Sequence, residues 1–216
     1  MKDRERFSKI IDLDLSRSVI LDLTNKNQEL SQFDITNPEH FESYIRRKIA
    51  ENKAQIAIGR YDENRVIYDH SNVFDGTQRR TVHLGIDLWT EPGTKVFSPL
   101  AGRVHSFRFN NNVGDYGPTM ILEHETDGRF YTLYGHLSLD SLDGLHEGKK
   151  IEAGQEIARV GNYPTNGNWA PHLHFQLILD MKGMKGDFPG VASEKDREKM
   201  LKLCPDPNII LNLNHL

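Results

Sequence analysis

Cysteine is almost missing from this chain. Cys204 is the only one in 216 residues, so no intramolecular disulfide can form and the disulfide-stapled class of secreted domain loses its usual support. The role expected for Cys204 is that of a small buried hydrophobe. Long apolar runs are missing too: no stretch approaches the roughly 18 residues of a membrane span. The charged start Met1-Lys2-Asp3-Arg4-Glu5-Arg6 is not followed by the apolar core of an export leader, so a cytoplasmic location is expected. Nor is there a basic excess, with 27 Lys and Arg against 31 Asp and Glu and a net charge of −4. That balance, with a pI near 6.2, gives no electrostatic footprint for nucleic acid or an anionic membrane surface.

What is present is an ordinary globular composition, 37% hydrophobic and 27% charged. At this length it suits one well-cored domain with extensions, or two small ones. The most informative stretch is Ala170-Pro-His172-Leu-His174-Phe-Gln176-Leu177. Apolar Leu173, Phe175 and Leu177 alternate with His172, His174 and Gln176, which reads as a half-buried strand with two imidazoles about 6 to 7 Å apart on one face. Two histidines on one strand face point to a metal.

A matching pattern lies upstream in Val82-His83-Leu84-Gly85-Ile86-Asp87-Leu88. Read as one strand, it sends Val82, Leu84, Ile86 and Leu88 one way and His83, Gly85 and Asp87 the other. On a flat strand His83 and Asp87 would have Cα atoms about 13 Å apart, too far to close on one ion. The strand is therefore expected to bend, and Gly85 is where it can.

The rest of the chain divides into three parts. In 1–58, Asn37-Pro38 followed by Phe41, Tyr44, Ile45 and Ile49 predicts a capped amphipathic helix to about Ala54. Ile56, Ile58 and then Val66 to Tyr68 read as strand, with a turn at Asp62-Glu63-Asn64. From Val82 to Leu179, short β-branched and aromatic runs are broken about every ten residues by Gly- and Pro-bearing turns, the texture of an antiparallel β sandwich or barrel. The expected fold is thus mainly β, α+β overall, with the body in 59–181 and a small helical extension before it. The tail, 182–216, is expected to carry a short helix over 194–203.

Several segments together carry a family resemblance. His83-Leu-Gly-Ile-Asp87, Pro92 to Val104, Tyr134-Gly-His136-Leu-Ser138, Gly154 to Gly161 and Ala170-Pro-His172-Leu-His174-Phe175 resemble the M23 zinc metallopeptidases, which include lysostaphin-like and LytM-like cell-wall endopeptidases. The resemblance implies the M23 core of duplicated hybrid-motif type, with one Zn2+ per chain held by His83, Asp87 and His174. It implies His136 and His172 as unligated catalytic groups beside it. Three protein donors leave the open position that a catalytic zinc needs. The implied reaction is hydrolysis of a peptide bond in peptidoglycan-type or glycine-containing peptides by zinc-activated water. Which of His136 and His172 is the base stays open.

Other features qualify the resemblance. LytM-like relatives carry an oxyanion-assisting tyrosine shortly before the first zinc histidine, whereas Thr77, Gln78, Arg79 and Arg80 precede His83 here; either Arg79 or Arg80 substitutes, or that contribution is missing and catalysis is weak or the substrate different. Gly186 to Val191 and Pro205 to Leu211 are similar to the stretch after M23-like domains in multidomain proteins with kinase-like and aminotransferase-like parts. That kinship implies a peptide or peptidoglycan fragment, rather than the intact wall, as substrate. A non-catalytic metal-binding or regulatory module on the same fold is the alternative. The segments 98–104 and 147–157 also resemble lipoyl or biotin carrier domains, which need a lysine at a hairpin tip between those halves, and sugar-phosphotransferase domains, which need no His-x-x-x-Asp. His40, His70, His105, His124, His146 and His215 lack partners at ligand spacing and are expected in surface or locally bonded roles. Trp169 fits either the core or a wall of the substrate groove.

Overall fold

Asn37 starts the principal helix. Its side-chain oxygen accepts from the amides of Glu39 at 2.9 Å and His40 at 3.4 Å, and Pro38 at the first position needs no donor. The helix α1 runs Pro38–Glu51, three residues short of the expected end; Lys53 turns left-handed at φ 50°. Phe41, Tyr44 and Ile45 form its buried stripe, and each such side chain contributes roughly 1.5–3 kcal/mol on burial. The stripe packs on Trp89, which meets Phe41 edge-on at 5.2 Å.

The computed structural model describes residues 7–68 and 79–216; the charged start 1–6, His70 and the Thr77-Gln78 pair lie outside them. The strands are β1 (Ser18–Leu21), β2 (Ile56–Gly59), β3 (Arg80–His83), β4 (Ile86–Trp89), β5 (Lys95–Phe97), β6 (Gly102–Asn110), β7 (Gly117–Glu125), β8 (Arg129–Gly135), β9 (Lys150–Ile151), β10 (Glu156–Arg159), β11 (His172–Ile178) and β12 (Val191–Ser193). Two short helices, α2 (Arg197–Leu203) and α3 (Asn208–Leu211), follow.

The fold is mainly β, as the turn spacing implies. One eight-stranded sheet has the order β1-β2-β4-β11-β8-β7-β6-β9, with β5–β10 and β3–β12 as separate two-stranded ribbons. Every strand pair is antiparallel except β1–β2. Alternation decides the two faces. Leu173, Phe175, Met120, Leu122 and Tyr134 pack on one face with Val96 and Ala158 of the β5–β10 ribbon. Ile121, Leu133 and Ile178 pack on the other with Val82 and Ala192 of the β3–β12 ribbon and with Cys204, which is fully buried.

Two readings from the sequence change. Val82–Leu88 is not one bent strand. The chain leaves the β3–β12 ribbon at His83 and enters the main sheet at Ile86, so Val82 and Leu84 belong to one apolar cluster and Ile86 and Leu88 to the opposite one. Val66–Tyr68 is a 3-10 turn rather than a strand. Its apolar Ile67 and Tyr68 join the α1 cluster, so burial that resembles a strand signal comes from packing. In the tail, α2 occupies the later part of the expected 194–203 helix.

Candidate metal centre and catalytic cleft

The break at Gly85 brings His83 and Asp87 together. A Cβ on Gly85 would stand 2.6 Å from Cε1 of His174 and 2.8 Å from the Phe175 carbonyl, so only glycine lets the chain pass this close to β11. In the sheet, His174 is the register partner of Asp87 on β4 and of Gly135 on β8. One donor atom each from His83, Asp87 and His174 falls within 4.8 Å of the others, and all three residues are buried.

The hydrogen bonds around this group define which ring nitrogens face inward. Nδ1 of His83 lies 2.9 Å from the Arg60 carbonyl, so in the neutral ring it carries the proton and Nε2 is a bare lone pair. Gln176 donates through Nε2 to the Pro189 carbonyl at 3.1 Å, which turns its Oε1 toward Nε2 of His174 at 2.9 Å. His174 therefore donates outward from Nε2 and points a bare Nδ1 inward. That Nδ1 stands 3.0 Å from Nε2 of His83 and 3.0 Å from Oδ1 of Asp87. Three acceptors thus converge on one small space, an arrangement that a cation or a proton must relieve.

Electrostatics agree. Burial, reinforced by the Arg65 charge, pushes His83 down to about 3, so a proton is disfavoured there. Burial alone would raise Asp87, but its surroundings, the Arg65 charge among them, carry its carboxyl well below the usual range, leaving it ionised. Two neutral imidazoles and one carboxylate form a donor set suited to zinc.

His136 and His172 sit beside this group with rings 4.2 Å apart. Nδ1 of His172 donates to the Ala170 carbonyl at 2.8 Å and Nδ1 of His136 to the Asn166 carbonyl at 2.8 Å, so both Nε2 atoms are acceptors. His172 Nε2 lies 3.8 Å from Asp87 Oδ1, and its ring stacks on Trp89 at 3.9 Å. Burial pushes His172 down to about 4 and carries His136 well below its ordinary value. Both are neutral bases at rest.

These groups open into a cleft whose walls include Tyr68, Asp115, Tyr116, Trp169 and Val191. Trp169 therefore forms a wall, anchored by Nε1 donating to the Asp115 carbonyl at 3.1 Å. Neither Arg79 nor Arg80 lines this cleft, whereas Tyr68 and Tyr116 do. Tyr68 is 15 positions before His83 and Tyr116 enters from the β6–β7 loop, so neither has the spacing that the sequence reading sought. Arg65 was missed as well, because a lone charge after a turn has no periodic signal. Gln176 was legible as part of the polar face of β11 but without a role. Of the other histidines, His105 and His146 bond locally to Ser106 and Glu147, whereas His215 bonds across the fold to Ser18. His40 is exposed and His124 is buried.

Among the described residues no helix is long and apolar enough to cross a membrane. No curated protein matches the chain. Among solved structures, the chain is similar to the catalytic domain of the antimicrobial peptidase lysostaphin from Staphylococcus simulans, at 24% identity over 56% of this chain and 80% of that one, TM-score 0.38. It is similar to a zinc-containing peptidase from Vibrio cholerae at 31% identity, covering 46% of this chain and 28% of that one, TM-score 0.37. The model of Peptidase family M23 matches residues 81–185, a segment that holds His83, Asp87, His136, His172 and His174. That match spans somewhat under half of the chain.

Proposed function

We propose that the chain is a zinc-dependent metalloendopeptidase that hydrolyses an amide bond in a peptide of peptidoglycan or glycine-containing type. The observation that carries this reading is the convergence of bare Nε2 of His83, Nδ1 of His174 and Oδ1 of Asp87, with the imidazoles of His136 and His172 paired beside them. A zinc ion held by these three residues supplies a Lewis acid for the scissile carbonyl and lowers the pKa of water toward neutrality.

The chain's own groups supply the rest. His172 presents Nε2 to the cleft and takes the proton of the attacking water, later returning it to the leaving amine. The Ala170 carbonyl on its Nδ1–H stabilises the imidazolium that forms in between. His136 shares this work or orients the water, held by the Asn166 carbonyl. Tyr68, its phenol raised by burial, stays protonated and is placed on the cleft wall as a donor to the developing oxyanion.

The test combines metal analysis of the protein purified without chelator with a screen on peptidoglycan fragments and glycine-rich peptides. About one zinc per chain is expected, with cleavage abolished by a chelator and restored by zinc. A metal-free, inactive protein in that screen overturns the reading.

A further inference from the structure

Arg65 is the one buried arginine among the described residues. Enclosing a guanidinium is costly unless its charge and N–H groups are met, and here they are. Nε donates to Glu63 Oε2 at 3.0 Å and Nη2 to the Arg60 carbonyl at 3.1 Å. Nη1 donates to Asp87 Oδ2 at 2.5 Å and to the Tyr68 hydroxyl at 3.0 Å. The space for it is prepared in β2. Gly59 is the register partner of Asp87, and a Cβ there would stand 2.6 Å from Nη2 and 3.3 Å from Cζ of Arg65. Glu63 balances the guanidinium, so the charge of Asp87 is left for a cation. Gly59, Glu63 and Arg65 all precede the family-matched segment 81–185.

We propose that Arg65 is a positioning residue that holds Asp87 as a one-oxygen donor and thereby sets which cation the site prefers. The inference rests on the metal-site reading above. With Oδ2 committed to the guanidinium, only Oδ1 faces His83 Nε2 at 3.2 Å and His174 Nδ1 at 3.0 Å. Single donor atoms from three residues suit a small, borderline-soft ion of low coordination number. An ion such as Mn2+, which prefers more oxygen ligands, is denied the second carboxylate oxygen. Lysine could replace the charge, but one ammonium on a flexible stem cannot reach Glu63, Tyr68, Asp87 and the Arg60 carbonyl together.

The experiment measures zinc and manganese dissociation constants by chelator competition, with apo-protein melting temperatures, for the full chain and for Arg65→Lys and Gly59→Ala. The second variant keeps the guanidinium and displaces it. Zinc affinity is expected to fall about 10–100-fold in both variants while manganese falls less, so that the zinc-to-manganese preference shrinks by about tenfold or more. Equal losses for both metals, or a lower melting temperature with unchanged affinities, make Arg65 structural and overturn the inference. If Arg65→Lys does not fold, Gly59→Ala decides alone, and failure of both to fold overturns the inference as well. A wild-type chain without zinc affinity removes the metal-site reading and this inference with it. Wild-type affinity with an unchanged preference in the variants removes this inference alone.

Discussion

Nε2 of His174 donates to Oε1 of Gln176 across 2.9 Å, two residues along the same strand. The amide of Gln176 cannot flip, because its Nε2 is held by the Pro189 carbonyl and by Cys204 Sγ at 3.3 Å. A buried amide thus dictates the tautomer of a buried imidazole, and the tail segment 182–216 dictates the amide. Replacing Gln176 by Leu keeps similar volume and removes the acceptor. Zinc affinity should fall about 10–100-fold, read by chelator competition, and an unchanged affinity would mean that the ring needs no such partner.

The three inward donors and the two neighbouring histidines should separate by phenotype. His83→Ala, Asp87→Ala and His174→Ala are expected to lose bound zinc in metal analysis. His172→Ala should keep the metal and lose about 10²- to 10⁴-fold in rate. His136 has φ 60°, where asparagine is better tolerated than alanine, so His136→Asn is the cleaner variant, with the same rate loss expected. Full zinc in the first three variants would refute the ligand assignment.

Gly85 should tolerate no side chain. The methyl of Gly85→Ala would press on His174 Cε1 and on the rigid Phe175 carbonyl, an overpacking cost of about 1–3 kcal/mol. A lower melting temperature accompanied by weaker zinc binding is expected. Wild-type values for both would show that the β3–β4 passage can move aside.

Acid should destabilise the protein through His124, remote from the cleft. Its Nδ1 donates to the Ala101 carbonyl at 3.0 Å and its Nε2 accepts from Thr132 Oγ1 at 2.8 Å, and burial lowers its pKa. A histidine with a folded pKa below its unfolded value of about 6.5 contributes its full stability above that value. The contribution is lost as pH falls through about 6.5 toward the folded pKa, because the unfolded chain then binds the extra proton. His124→Gln should therefore show a shallower fall of melting temperature between neutral pH and mildly acid pH than the wild type. Parallel curves would refute the assignment.

Much of the site was legible in one dimension because strand geometry is. Period-two alternation in 172–177 places His172, His174 and Gln176 on one face without reference to anything else, and the structure keeps them there. The distance between His83 and Asp87 on a flat strand likewise demanded a bend at Gly85, the right position although the chain in fact leaves one ribbon and enters another sheet there. Asn37-Pro38 set the start of α1 from local hydrogen bonding alone.

What the sequence could not decide depends on contacts between distant segments. Whether the break at Gly85 is a bend or a passage between two sheets is determined by what each half pairs with, β12 for His83 and β11 for Asp87. The 3-10 turn at Val66–Tyr68 has an apolar pattern like that of a strand, and only the packing of α1 distinguishes them. Tyr68 reaches the cleft, and Arg65 the buried Asp87 carboxylate, from a segment far from His83 in sequence. Their roles exist only where Gly59, Glu63 and Asp87 meet in space, because a buried charge takes its meaning from the partners that the fold assembles around it.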